Sequence, residues 1–83
     1  SLENRFIIYP NPAKEYFYLK NLSPDEQIEH LAIYNSVGQQ VFYLPKRDIK
    51  PFTKVNVSKY EKGFYSVKII TSKEMMTKKI IVY

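Results

Sequence analysis

The chain has 83 residues, of which 45% are hydrophobic, 25% charged and 16% aromatic, and it contains no cysteine. This composition fits one small globular domain and excludes a disulfide scaffold, a thiolate metal site and a cysteine nucleophile, and no apolar run approaches the about 20 residues of a membrane helix. The formal charge of +5 is unevenly placed, because ten of the 13 basic residues follow position 45.

Hydrophobic residues alternate with a period of two along most of the chain, which predicts short strands. The predicted strands span residues 5–9, 15–20, 29–35, 39–44, 53–57, 64–71 and 75–83. Seven strands leave little room for helices, so the fold class is all-β, with two packed sheets or a small barrel. Eight tyrosines and five phenylalanines are available to fill its core.

Turn residues separate the predicted strands. Pro10 and Pro12 lack the amide hydrogen that a ladder needs, and Gly38 can adopt the positive φ of a hairpin turn that begins at Asn35. The Ser-Pro-Asp-Glu run at residues 23–26 has the pattern of a capping box, which one helical turn or a plain loop would satisfy. Two proline-bounded segments are predicted to be ordered turns outside the ladders, namely residues 9–13 and 45–51.

The sixth predicted strand carries the most specific structural signal. Tyr65, Val67 and Ile69 alternate and should face the core. A tyrosine that starts the sixth strand just after a turn glycine, here Gly63, is typical of sandwich domains. We therefore expect the Tyr65 hydroxyl to bond to backbone a few residues upstream, near Tyr60.

The last predicted strand is apolar on both faces. Ile80 and Val82 lie on one face, and Ile81 and Tyr83 lie on the other. Either both faces are covered within the domain, or one face awaits a partner.

Catalytic residues are scarce, and we predict no enzyme, no cofactor and no metal site. His30 is the only histidine, and a half-buried or surface position on a strand explains it better than a catalytic base. The carboxylates at Asp25, Glu26 and Glu29 are better explained as a charged loop than as an acid/base pair. The two glycines are too far apart for a phosphate-binding loop.

Four segments, in this order, resemble the C-terminal sorting domain of the type IX secretion system, type A. They are Tyr9-Pro10-Asn11-Pro12-Ala13; Leu31-Ala32-Ile33-Tyr34-Asn35-Ser36-Val37-Gly38-Gln39-Gln40-Val41; Val55-Asn56-Val57-Ser58 with Lys62-Gly63-Phe64-Tyr65-Ser66-Val67-Lys68-Ile69; and Lys79-Ile80-Ile81-Val82. The chain departs from the family pattern in the longer, more basic loop at 45–51 and in phenylalanine at position 64. The residues that carry the secretion-signal motif are then Tyr9, Pro10, Asn11, Pro12, Asn35, Gly38, Gly63, Tyr65, Lys79, Ile80, Ile81, Val82 and Tyr83.

The resemblance implies a seven-stranded antiparallel immunoglobulin-like β-sandwich, with residues 1–83 forming the C-terminal sorting domain of a larger secreted protein. Such a domain directs its cargo through the periplasm and across the outer membrane to the cell surface or the medium. Its implied partners are the outer-membrane translocon and shuttle proteins. In many family members a sortase-like peptidase is a further partner, which removes the domain and attaches the cargo to the surface, whereas other members keep the domain uncleaved, and the sequence leaves both outcomes open. Weak self-association through the last strand is a further expectation. Because residues 1–5 do not open a signal peptide, an exported protein needs a segment ahead of them.

Two other functions remain open at this point. An immunoglobulin-like adhesion or carbohydrate-binding module would use the tyrosines for contact. A nucleic-acid binder would use the basic and aromatic residues at 59–65, but Tyr65 is in phase with core residues, so we expect no nucleic-acid partner. Lysines that keep strand faces soluble account for the basic C-terminal half better than a dedicated anion site.

Overall fold

The computed structural model describes residues 5–23 and 25–83, and within this part the chain is all-β with one short 3₁₀ helix. The strands are β1 (Phe6–Tyr9), β2 (Tyr16–Asn21), β3 (Ile28–Asn35), β4 (Gln40–Pro45), β5 (Phe52–Asn56), β6 (Gly63–Thr71) and β7 (Met75–Val82), and the 3₁₀ helix is Lys46–Asp48. All seven predicted strands are confirmed, each to within one residue at either end.

The strands form two antiparallel sheets, a three-stranded sheet in the order β1-β2-β5 and a four-stranded sheet in the order β4-β3-β6-β7. The chain passes from one sheet to the other between β2 and β3, between β4 and β5, and between β5 and β6. In immunoglobulin terms the sheets are A-B-E and C′-C-F-G, because β4 remains beside β3. The structure therefore confirms an immunoglobulin-like sandwich rather than a small barrel.

The core between the sheets is mainly aliphatic. Its largest fully buried side chains are Phe6, Phe17, Leu19, Leu31, Ile33, Val55, Val57, Val67, Ile69 and Ile80. Of the thirteen aromatic residues, only Phe6, Phe17 and Tyr65 are buried. Phe42 and Tyr60 are partly buried and pack against the core. The aromatic residues therefore fill the core only in part, and most of them lie on the two outer faces of the sandwich.

The hairpin between β3 and β4 forms as predicted. Gly38 has φ +86°, a backbone conformation that would be strained for a residue with a side chain. The Asn35 side-chain oxygen accepts hydrogen bonds from the Val37 and Gln39 amides, at 3.1 and 2.9 Å. One asparagine thus fixes the turn by bonding to the backbone that follows it.

The two proline-bounded segments are turns only in their middle parts. Tyr9 pairs with Tyr18 in the β1–β2 ladder, and Pro45 pairs with His30 at the end of β4. The expectation that residues 9–13 and 45–51 lie wholly outside the ladders is therefore wrong at their ends, because the strands continue up to the prolines. A proline is tolerated at the end of β4 because β4 is an edge strand.

The predicted capping box includes Pro24, which lies outside the described residues. On either side of it, the Glu26 amide donates to the Ser23 carbonyl at 3.0 Å, and Asp25 and Glu26 form a turn and a bend. A plain turn therefore satisfies the pattern in the part of this segment that the structure describes.

Candidate recognition surface

The motif near the N-terminus joins the two sheets. After β1 the chain leaves the three-stranded sheet through Pro10 and Pro12, and Ala13 forms a parallel bridge with Val82 of β7. The Ala13 amide donates to the Ile81 carbonyl at 2.7 Å, and the Tyr83 amide donates to the Ala13 carbonyl at 3.0 Å. Ala13 is completely buried, so a small side chain is needed where the segment meets the core.

The Asn11 side chain extends this pairing along β7. Its Nδ2 donates to the Lys79 carbonyl at 3.0 Å, and its Oδ1 accepts from the Ile81 amide at 3.1 Å. A carboxamide carries both a donor and an acceptor, so one side chain substitutes for a peptide group of a neighbouring strand. We call residues 11–13 the clasp. Its hydrogen bonds satisfy the outward backbone groups of β7 from the Lys79 carbonyl to the Tyr83 amide.

The two faces of β7 differ in their exposure. Ile80 and Val82 are buried against the core, whereas Ile81 is 37% exposed and Tyr83 57% exposed. Phe64 lies opposite Ile81 in the ladder and is 51% exposed, and the Lys79 ammonium lies 4.4 Å from the centre of its ring. The first alternative that the sequence left open, that both faces of β7 are covered within the domain, is therefore wrong.

We call these four outward side chains, Phe64, Lys79, Ile81 and Tyr83, the outer row. Three of them are large and apolar, and they occupy the end of the sheet beside the clasp. Exposed apolar side chains that lie together mark interaction sites more often than isolated ones do.

Tyr65 behaves as predicted. Its side chain is buried, and its hydroxyl donates to the Glu61 carbonyl at 2.6 Å. The acceptor is one residue beyond Tyr60, whose ring lies 5.2 Å from that of Tyr65. Gly63 begins β6 with φ +149°, a conformation that side chains rarely adopt. Gly63 and Tyr65 therefore shape the start of β6 rather than present side chains to solvent.

Tyr60 lies in a cleft of about 670 Å³ between the β3–β4 hairpin and the turn before β6. Its hydroxyl is buried and bonds to no other described residue. Burial, and secondarily the neighbouring Tyr65 hydroxyl, raise the pKa of Tyr60 above its usual 10.0. A neutral phenol is therefore favoured in this cleft.

Most of the predicted motif residues meet at one end of the four-stranded sheet. Asn35 is paired with Tyr65, Tyr65 with Ile80, and Gly63 with Val82. We call this end, where the β3–β4 turn, the start of β6, the end of β7 and the clasp come together, the motif end. Tyr9 is an exception, because its ring packs at 5.6 Å from Tyr18 on the outer face of the other sheet.

Two of the three clustered carboxylates, and the histidine, make structural contacts. Arg5 and Glu26 form an ion pair at 3.0 Å, Glu29 pairs with Lys46 at 3.2 Å, and the ring of His30 lies 5.4 Å from that of Tyr43. Across residues 5–23 and 25–83 there is no cluster of three or more histidine, cysteine or acidic residues that could hold a metal ion. The same residues contain no helix that is long and apolar enough to cross a membrane.

The structure defines an immunoglobulin-like β-sandwich in which motif segments that are distant in the sequence meet at one folded end. Comparison with protein families identifies the particular class: residues 7–83 match the secretion system C-terminal sorting domain, and the chain belongs to that family. It is a C-terminal sorting signal of the type IX secretion system, which marks proteins for export across the outer membrane to the cell surface or the medium. No curated protein matches the chain.

Family membership decides between the functions that the sequence left open. The family is a sorting domain, not a catalytic one, and nothing favours the adhesion module. A sorting signal acts through contact with the secretion machinery.

Sequence reasoning missed the clasp. Nothing in the local pattern of Asn11 indicates that its side chain bonds to β7, whose acceptor residue Lys79 is 68 positions away. The only available signal was that both segments belong to the same resemblance.

Proposed function

We propose that the secretion machinery recognises the motif end as one folded surface. The observation that carries this proposal is the pair of hydrogen bonds between Asn11 and β7, which joins the first and last motifs into a single structure. On this proposal the motif residues of the clasp, the hairpin and the start of β6 hold β7 in place. The outer row, which combines Phe64 with three motif residues of the β7 end, makes the contact.

Contact through side chains is favoured over pairing with the strand edge. Between Lys79 and Tyr83 the outward backbone groups of β7 already bond to the clasp, so they are not available to another strand. The remaining edge, from Met75 to Lys78, carries Lys78 opposite buried Val67 on the inner face. An inward-pointing charge on an edge strand opposes pairing with a second chain. We therefore infer that the machinery recognises the outer row, and that self-association through the last strand is suppressed.

The remaining parts of the proposal concern the whole secreted protein. Residues 1–83 act as its C-terminal sorting domain, and the cargo precedes them. The partners are the outer-membrane translocon and its shuttle proteins, followed by a sortase-like peptidase that cuts upstream of the domain. The chain contributes no catalysis, needs no cofactor and binds no nucleic acid. Recognition of a folded surface requires none of these.

The test uses a periplasmic reporter fused ahead of residues 1–83 in a host that has the matching secretion system. Ile81→Ser removes an outer-row side chain at the motif end. Met75→Ser makes the matched change on the same face of β7, at the other end of the strand, where the side chain is 62% exposed. We expect the intact fusion and Met75→Ser to reach the surface or the medium, and Ile81→Ser to accumulate in the periplasm.

A circular-dichroism melt of each purified domain separates lost recognition from lost folding. If folded Ile81→Ser is exported as well as Met75→Ser, recognition through the outer row is wrong. If the intact, folded fusion remains in the periplasm, residues 1–83 are not a sufficient signal, and the proposal for the whole domain fails.

A further inference from the structure

The outer face of the three-stranded sheet is aromatic where a sandwich surface is usually polar. Eight side chains point outward from its strands. They are Ile7 and Tyr9 on β1, Tyr16, Tyr18 and Lys20 on β2, and Phe52, Lys54 and Asn56 on β5. We call this face the aromatic face. It lies on the sheet opposite the outer row, so the recognition of the motif end leaves it unexplained.

The four rings of the aromatic face pack against one another. The centre of the Tyr18 ring lies 4.6 Å from that of Phe52, 5.1 Å from that of Tyr16 and 5.6 Å from that of Tyr9. Only the Tyr18–Phe52 pair is stacked, and Tyr9 and Tyr16 are tilted from Tyr18 by 43° and 63°. The Lys54 ammonium lies over the Tyr16 ring at 4.6 Å. The rings therefore form no common plane on which successive bases or sugar rings could lie.

The charge of the aromatic face is positive. Lys20 and Lys54 are among its eight outward residues, and none of the eight carries a carboxylate. A second copy of the same face would bring four lysines together without a counter-charge, which opposes a symmetric dimer. Clustered tyrosine and phenylalanine side chains are typical of the centre of protein interfaces.

From the ring packing and the charge we propose that the aromatic face binds an acidic polypeptide surface. Aromatic or aliphatic side chains of the partner would contact the ring cluster around Tyr18 and Phe52, and its carboxylates would pair with Lys20 and Lys54. This proposal does not rest on the sorting role, because it concerns the other sheet and a direct binding measurement.

The test is a nuclear magnetic resonance titration of the ¹⁵N-labelled chain with a random copolymer of glutamate and tyrosine. This probe carries both carboxylates and rings. We expect amide shifts confined to β1, β2 and β5. Phe52→Ser should weaken binding by about tenfold, as loss of an interface anchor does, whereas Tyr43→Ser should not. Tyr43 is the matched control, because the two aromatic residues are 49% and 51% exposed on opposite sheets.

The lysines provide a second pair of matched variants. Lys54→Gln should weaken binding and reduce its salt dependence, whereas Lys68→Gln, which removes a lysine that covers the Tyr34 ring on the other sheet, should change neither. Polygalacturonate and oligothymidylate are the comparison ligands.

Two results would overturn the proposal. One is that the copolymer shifts no amide signal of β1, β2 or β5, or shifts the amide signals of lysines on both sheets alike. The other is that polygalacturonate or oligothymidylate binds the aromatic face more tightly than the copolymer does. The amide shifts of the unsubstituted chain test the first result even if Phe52→Ser fails to fold.

Discussion

At the scale of single residues, the clasp depends on the two-sided chemistry of the Asn11 carboxamide. Asn11→Ala removes both hydrogen bonds to β7, and Asn11→Asp keeps the acceptor for the Ile81 amide but loses the donor to the Lys79 carbonyl. We expect hydrogen exchange at the Ile81 amide to accelerate in Asn11→Ala and to remain near the unsubstituted rate in Asn11→Asp.

Exchange of the Tyr83 amide provides the internal control for this prediction, because its acceptor is the Ala13 carbonyl and not a side chain. The expected loss of stability in Asn11→Ala is about 1–3 kcal/mol, the net value of two typical hydrogen bonds. Equal exchange rates at Ile81 in all three chains would show that Asn11 does not hold the edge.

Tyr65 was predictable from the sequence because its contact is local. Tyr65→Phe removes the bond to the Glu61 carbonyl and should lower the free energy of unfolding by about 1 kcal/mol. Tyr65→Ala should cost several times more, because it also leaves a cavity. Urea denaturation measures both, and Tyr43→Phe, at a ring that is 51% exposed, serves as the control. An unchanged midpoint for Tyr65→Ala would exclude its role in the core.

We expect Tyr60 to make the free energy of unfolding of the domain depend on pH in the alkaline range. Its pKa is raised above 10.0 by burial and by Tyr65, so the folded chain holds the phenolic proton more tightly than the unfolded chain does. The free energy of unfolding should therefore be constant below about pH 10 as far as this group is concerned, and fall as the pH rises further. The difference between the unsubstituted chain and Tyr60→Phe in urea denaturation isolates this contribution, and an equal alkaline loss in both chains would refute it.

At the scale of strands, alternation located all seven elements, but it could not decide which face of β2 is buried. Tyr16, Phe17, Tyr18 and Leu19 are all apolar, so the period of two gives no contrast between the faces. Packing across the sandwich decides it, since Phe17 and Leu19 fill the core and the tyrosines are left outside. The aromatic face was therefore not predictable, whereas the contrast of Val67 with Lys68 made the orientation of β6 plain.

The open part of the β7 edge leads to a prediction about self-association. Lys78 points to the inner face opposite Val67, and the clasp covers only the later residues of β7. Lys78→Val would leave a short apolar edge without its charge, and we expect concentration-dependent dimers of this variant in sedimentation-velocity experiments. Thr77→Val, one residue earlier on the outer face, should stay monomeric. Monomers of Lys78→Val at every concentration would show that the lysine does not protect the edge.

At the scale of the whole molecule, the motif end exists only when the sandwich is complete. The clasp follows a strand of the three-stranded sheet and bonds to the last strand of the four-stranded sheet, so each sheet must be in place before the motifs meet. A core substitution on the three-stranded sheet, outside the motif end, should therefore impair export through folding alone. Leu19→Ala, at a fully buried position on β2, is expected to cost about 2–5 kcal/mol, a large part of the about 5–15 kcal/mol that a small domain has.

The corresponding experiment follows export of the reporter fusion across a range of temperatures. For Leu19→Ala we expect export to fall over the interval in which the purified domain unfolds, and to match the unsubstituted fusion at temperatures where the variant is folded. Leu22→Ala, at a position that is 46% exposed, should follow the unsubstituted fusion throughout. A linear peptide signal would give the opposite result, because unfolding leaves the motif sequences intact. Undiminished export of unfolded Leu19→Ala would therefore show that the machinery recognises a linear segment of the sequence rather than the folded domain.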